Sequence, residues 1–198
     1  MAAAEPVAAV EVASAQRIVF GRGEALKRVP AAVKALGGTV CLIVVGASTA
    51  RAQPFADALN ALGVKHAFFS IGAWRRAWKR NAAARCSHAH VCALSEPHAR
   101  GAPHPPGAGE PTVATAEAGL AAAKAARADV VIGLGGGSAV DTGKAIAALL
   151  TQPEGLMAYM EVVGQGKPLV NPSAPFIAVP TTAGTGSEAC GCACVVLR

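Results

Sequence analysis

The residues most able to do chemistry are Gly135, Gly136, Gly137 and Ser138, placed between the run Val130 to Leu134 and the stretch Val140-Asp141-Thr142-Gly143-Lys144. Three successive glycines remove every Cβ from the turn, so a phosphate could lie against bare main-chain N–H groups. If a helix follows, Ser138 can cap it, with Asp141 three residues on as its capping-box partner. An anion in that position would meet unpaired donors and the positive end of the helix dipole. The alternative is a glycine turn that only lets helix and strand pack closely. Neither familiar template fits: a P-loop register finds Ser138 where glycine is needed and Ala145 after the lysine, and G-x-G-x-x-G ends on Ser138.

A second segment, Pro180-Thr-Thr-Ala-Gly-Thr-Gly-Ser-Glu188, follows another apolar run, Pro175 to Val179. Taken with Gly135 to Lys144 at this spacing, the chain resembles the iron-containing (group III) alcohol dehydrogenase family, which also holds glycerol dehydrogenases and maleylacetate reductases. Weaker agreement runs through Phe-Gly-Arg-Gly at 20–23, Leu-Ile-Val-Val at 42–45 and Glu-Pro-Thr at 110–112. The resemblance covers 17–71 and 109–189, which corresponds to the N-terminal half of such an enzyme. It implies a dehydroquinate synthase-like cofactor domain, with the second, all-helical domain of the family missing. It also implies hydride transfer between an alcohol or hydroxyacid and NAD or NADP, with a divalent metal, Fe or Zn, polarising the substrate oxygen.

Matched residue by residue, the resemblance places Gly135, Gly136, Gly137 and Ser138 on the pyrophosphate and Thr181, Thr182 and Thr185 along the rest of the cofactor. Asp141 and Lys144 match the motif too, and their role is either cofactor contact or local structure. The family's metal ligands lie beyond the point matching Glu188, so no catalytic residue and no metal ligand is assigned here. Gly46 follows the second expected strand, where many relatives carry an acid that holds the ribose and repels a 2′-phosphate. With Gly46-Ala47-Ser48-Thr49 and Arg51 there instead, the sequence leans toward NADP or tolerance of both dinucleotides.

The elements that would position these loops alternate. Strands are expected at 17–20, 39–45, 65–70, 129–134 and 175–179, and helices at 23–36, 53–62, from a Thr112 cap to 128, and at 138–150. Such alternation predicts a Rossmann-like, doubly wound parallel sheet, with ligands beyond the carboxyl ends of its strands. The chain has 198 residues, 53% of them hydrophobic and 15% charged, enough for one ordinary domain. No apolar run approaches the ~20 residues that cross a bilayer. Residues 1–16 read as a flexible tail: they hold Glu5 and Glu11 but no basic residue, unlike a secretory or transit signal. A cytoplasmic setting is expected, with a mitochondrial or plastid address left open.

The formal charge of +6 would suit a nucleic acid or an acidic membrane, but it is local. Residues 73–108 hold Arg75, Arg76, Lys79, Arg80, Arg85 and Arg100 against Glu96, a net +5 that leaves +1 for the rest. This stretch also carries both tryptophans and four of the five histidines, and it reads as an insert, either disordered or foreign to the fold. Its Cys86, Cys92, His88 and His90 lack the paired spacings of a zinc site. Neither nucleic acid nor membrane is expected as a partner. A small alcohol or oxoacid is, and oligomeric state is left open.

The tail 190–198, with Cys190, Cys192 and Cys194 alternating, departs from the family. Cys41 reads as a small buried apolar residue, and His66 as structural. Six cysteines without a disulfide-scaffold pattern point to a reducing compartment. Three outcomes follow for the polypeptide: a truncated or misassembled dehydrogenase half, a non-catalytic dinucleotide-binding protein, or an inactive fragment.

Overall fold

The computed structural model describes residues 16–72, 111–190, 193 and 195. The expected insert at 73–108, nearly all of the tail at 1–16 and most of that at 190–198 lie outside the described residues. Among the described residues four strands, β1 (Val40–Val45), β2 (Lys65–Ser70), β3 (Val130–Gly135) and β4 (Phe176–Pro180), form one parallel sheet in the order β2-β1-β3-β4. Five helices with both ends among the described residues accompany them: α1 (Glu24–Ala35), α2 (Gln53–Ala61), α3 (Val113–Ala126), α4 (Gly137–Leu150) and the short α5 (Leu156–Tyr159).

The unbroken run Cys-Leu-Ile-Val-Val in β1 reflects a strand covered on both faces, since successive side chains point to opposite sides. Cys41, Ile43 and Val45 join Ile132 and Leu134 of β3 under Val29, Val33, Phe55 and Leu59 of α1 and α2. Leu42 and Val44 join Val131 on the other face, under Ala123 of α3 and Ile146 of α4. The sheet is therefore doubly wound, as the alternation predicts. Each fully buried Leu, Ile or Val of this kind stabilises by roughly 1.5–3 kcal/mol. Close approach of the helices depends on small residues. A Cβ on Gly143 would stand 2.7 Å from Phe176 Cε2 and 3.3 Å from the Gly133 Cα, so α4 sits against β3 and β4 only because both positions are glycine.

Strand order reverses direction after β1, with β2 on one side and β3 on the other. Registers bring the strand ends out level there: Val45 faces Leu134, and Gly135 faces Pro180. At the opposite end, Asp129 ties β1 to β3. Its carboxylate accepts from the N–H of Thr39 at 2.9 Å and of Val40 at 3.0 Å, and from the Thr39 hydroxyl. Partial burial alone would raise this carboxyl, but the hydrogen bonds from Thr39 and Val40 outweigh it and hold its pKa below the ordinary value.

Two expectations change, and one helix had none. Residues 17–20 are not a strand, and Ile18, Val19 and Phe20 are exposed, because apolar character without a paired edge does not satisfy a strand's backbone. Strand β4 is largely half-buried rather than buried, since it is an outer strand among the described residues. Helix α5, with four residues, is too short to leave a periodic signal. By contrast, the Thr112 hydroxyl caps α3, accepting from the Thr115 N–H at 3.2 Å, and Arg127 closes that helix in a left-handed conformation (φ 55°). No helix among the described residues is long and apolar enough to cross a membrane.

Candidate functional site

The site forms where β1 and β3 diverge. Gly46 leaves β1, and its C=O accepts from the Ser70 Oγ at 2.8 Å and the Gly72 N–H at 3.1 Å, which fixes the turn toward β2. Gly135 ends β3 beside it: a Cβ on Gly135 would lie 3.7 Å from the Gly46 nitrogen and 2.8 Å from the Ala139 Cβ. With φ at +156°, this position favours glycine on both backbone and steric grounds.

Helix α4 starts one residue earlier than expected. Its N-cap is Gly136, extended at φ −78° and ψ −176°, and no side chain caps it. Ser138 is therefore not the cap but a first-turn residue, whose C=O accepts from the Thr142 hydroxyl at 2.7 Å. Asp141 does not form a capping box either. It is buried, and its carboxylate accepts from Ser187 Oγ at 3.0 Å. The reason is the earlier start: with the helix begun at Gly137, residue 141 lies beyond the capping position, and its carboxylate meets the loop after β4 instead.

That loop folds over the glycine turn. The Thr181 N–H donates to the Gly135 C=O at 2.8 Å, continuing the β3–β4 ladder by one bond. Thr182 follows, with its Oγ1 3.3 Å from the place a Gly136 Cβ would occupy. The Gly137 Cβ position is 3.2 Å from Ser187 Oγ and 3.4 Å from the Thr185 Cβ. Thr185 Oγ1 donates to Glu188 Oε2 at 3.0 Å. Gly184 (φ 85°) and Gly186 (φ 72°) allow the loop its left-handed bends. Of the sequence-assigned residues, Gly135, Gly136, Gly137, Thr182 and Thr185 are thus brought together, with Gly46 next to them and Thr181 at the loop's start. Ser138 and Asp141 follow on α4.

Lys144 donates from Nζ to the Cys190 C=O at 2.6 Å, and Ala193 and Val195 pack against a small apolar cluster that includes Ala116, Leu120 and Leu149. The described part of the tail is thereby attached to α3 and α4. Sequence reasoning did not single out Ser187; only its place in the Thr-Gly-Ser-Glu string marked it. Cys41 is buried as expected. Burial first, and then the nearby Asp129 charge, push its thiol up to about 12, so it serves as packing. Among the described residues no three His, Cys, Asp or Glu side chains gather as a metal site would need.

The fold and its paired loops define the class: a Rossmann-like α/β domain with a glycine cradle and a threonine-rich loop at the topological switch point. Residues 99–197 match the model of the iron-containing alcohol dehydrogenase family, and this chain belongs to that family. The chain is similar to the mitochondrial hydroxyacid-oxoacid transhydrogenase of Caenorhabditis elegans, 47% identical over 83 residues, covering 40% of this chain and 17% of that protein. It is also similar to the sulfoacetaldehyde reductase of Bilophila wadsworthia, 32% identical over 176 residues, covering 87% of this chain and 35% of that one. Among solved structures, the sulfoacetaldehyde reductase of Bifidobacterium kashiwanohense in complex with NAD+ superposes with a TM-score of 0.62 at 25% identity, covering 90% of this chain and 37% of the other. The chain thus spans about a third of the length of the two reductases and less of the transhydrogenase.

Proposed function

We propose that this chain is the cofactor-binding half of an NAD(P)-dependent alcohol or hydroxyacid oxidoreductase, with residues 17–189 as the cofactor unit and 73–108 as an insert within it. One observation carries the reading: the 135–138 turn and the 181–187 loop, far apart in sequence, meet over the N-terminus of α4 at the switch point of a doubly wound sheet. The fit to a pyrophosphate is chemical as well as geometric. Gly136 and Gly137 present no side chain, the first-turn N–H groups of a helix point outward, and the helix dipole favours negative charge there.

Gly135 to Ser138 would hold the pyrophosphate, while Thr181, Thr182 and Thr185 would offer hydroxyl groups along the remainder. When bound, the dinucleotide supplies the nicotinamide that accepts or donates hydride. This chain's residues orient it by clamping the phosphates between the two loops. The relative solved with NAD+ supports this cofactor class. Near the adenosine end, Gly46 has open space where a Cβ would stand, and no acid occupies 46–49. With Ser48 and the exposed Arg51 nearby, this favours NADP or both dinucleotides. The described residues do not fit a catalytic metal, so we place its ligands elsewhere and derive no step through it. The substrate class, a small alcohol, hydroxyacid or oxoacid, comes from the family alone. Cysteine usage supports a reducing compartment, the cytoplasm first.

Calorimetric titration of the 198-residue chain with NAD+ and NADP+, paired with thermal unfolding, tests this. Binding stabilises the native state by about 2.7 kcal/mol at a hundredfold excess over Kd. No heat and no rise in Tm with either dinucleotide would refute the proposal.

A further inference from the structure

Loop 181–190 is held at both ends, and the far end is held by α4. Asp141 and Lys144 are three residues apart on the helix, so they share a face, and their targets, Ser187 and Cys190, are also three apart. The Asp141–Ser187 contact is buried at both partners, where a carboxylate depends on its donors and a charge-assisted hydrogen bond counts for more than at the surface. The near end is fixed by the Thr181 N–H on the Gly135 C=O. Between these anchors lies the exposed span 182–186, which contains two left-handed glycines and carries Thr182 and Thr185 over the glycine cradle.

The geometry points to Asp141 and Lys144 as positioning residues, a two-point clamp on α4 that sets the height of the 182–186 span above Gly136 and Gly137 and thereby the affinity for a nicotinamide dinucleotide. The inference rests on reading the two loops as a cofactor site. A span with both ends fixed loses less conformational freedom when a ligand orders it, so a clamp remote from the ligand changes affinity without touching it. Lys144 donates to the Cys190 main-chain carbonyl at 2.6 Å and lies 3.4 Å from its Sγ, while Asp141 is reached through the Ser187 hydroxyl.

The test uses the 198-residue chain as wild type, Ser187→Ala, Lys144→Met and Lys144→Arg. NAD+ and NADP+ affinities are read by calorimetry, loop protection by hydrogen exchange over 181–190, and global stability by Tm. Ser187→Ala and Lys144→Met should each weaken binding by about tenfold, the effect of losing one hydrogen bond to a charged group. Exchange should quicken over 182–190 but not in the sheet. Lys144→Arg, which still donates to the Cys190 C=O, should recover most of the affinity. Should Ser187→Ala fail to fold, Lys144→Met and its arginine rescue decide alone. Unchanged affinity in the variants, against a wild type that binds, overturns the clamp and spares the cofactor reading. So does weakening that tracks a general rise in exchange. A wild type that binds neither dinucleotide overturns both.

Discussion

Replacing Gly136 by alanine should separate folding from binding. At φ −78° and ψ −176° this residue occupies extended backbone open to any amino acid, so the substitution introduces no dihedral strain. The new methyl would stand 3.3 Å from Thr182 Oγ1 and 4.0 Å from its Cβ, and Thr182 is exposed and can yield a few tenths of an ångström. Alanine is a poorer N-cap than glycine by up to about 1 kcal/mol, while loss of glycine's freedom in the unfolded chain returns about 0.4–1 kcal/mol. The net change in stability is thus within about 1 kcal/mol.

Binding should respond otherwise, because the methyl occupies the surface on which a phosphate would rest. Moving the phosphate outward by about a methyl's width removes at least one charge-assisted hydrogen bond, about 1.5–3 kcal/mol, or roughly ten- to a hundredfold in Kd. Gly135→Ala is the counterpart. Its backbone disfavours a side chain, and its Cβ would be 2.8 Å from that of Ala139, so it should destabilise folding by about 1–3 kcal/mol. Calorimetry and thermal unfolding on both variants supply the check. Gly136→Ala binding NAD+ and NADP+ as tightly as wild type would refute the cradle, and Gly135→Ala folding normally would refute the steric argument.

Further outcomes are expected elsewhere. Gly46→Asp meets open space and should leave Tm nearly unchanged while moving preference from NADP+ toward NAD+; an unaltered ratio of the two Kd values would count against the adenosine-end reading. Asp129→Ala should lower stability at pH 7 by about 1–2 kcal/mol, discounted for exposure. Because Asp129's folded pKa lies below its unfolded value of about 3.9, its contribution is present above that value and fades as pH falls through the folded pKa. Urea unfolding from pH 7 to pH 2 should therefore show wild type and variant converging in acid. Gly143→Ala gains about 1 kcal/mol in helix propensity but drives a Cβ to 2.7 Å from Phe176 Cε2, where overpacking costs about 1–3 kcal/mol. A net loss in Tm, relieved by Phe176→Leu, is expected, and a gain would show that α4 has room to move.

Much of the fold was legible because its signals are local. The run at 41–45 announces a strand covered twice, and Lys65–Ser70 is found with its expected bounds. Thr112 was legible as a cap because capping involves residues three apart. Errors arose where a local signal had two solutions. Ser138 and Asp141 have the types and spacing of a capping box, yet helix α4 starts at Gly137 and leaves both on its body. Ile18, Val19 and Phe20 have strand character, but pairing depends on an edge that composition cannot reveal.

The sequence by itself determined the alternation of strands and helices, the glycine turn at 135–137 and the threonine string after β4, because each is written in neighbouring residues. Only the tertiary structure decided that these segments meet. The Asp141–Ser187 bond spans 46 positions and the Asp129–Thr39 bond 90. Both depend on the parallel registers of β1, β3 and β4, and a register is set by the packing of whole sheet faces, which no short window of residues contains.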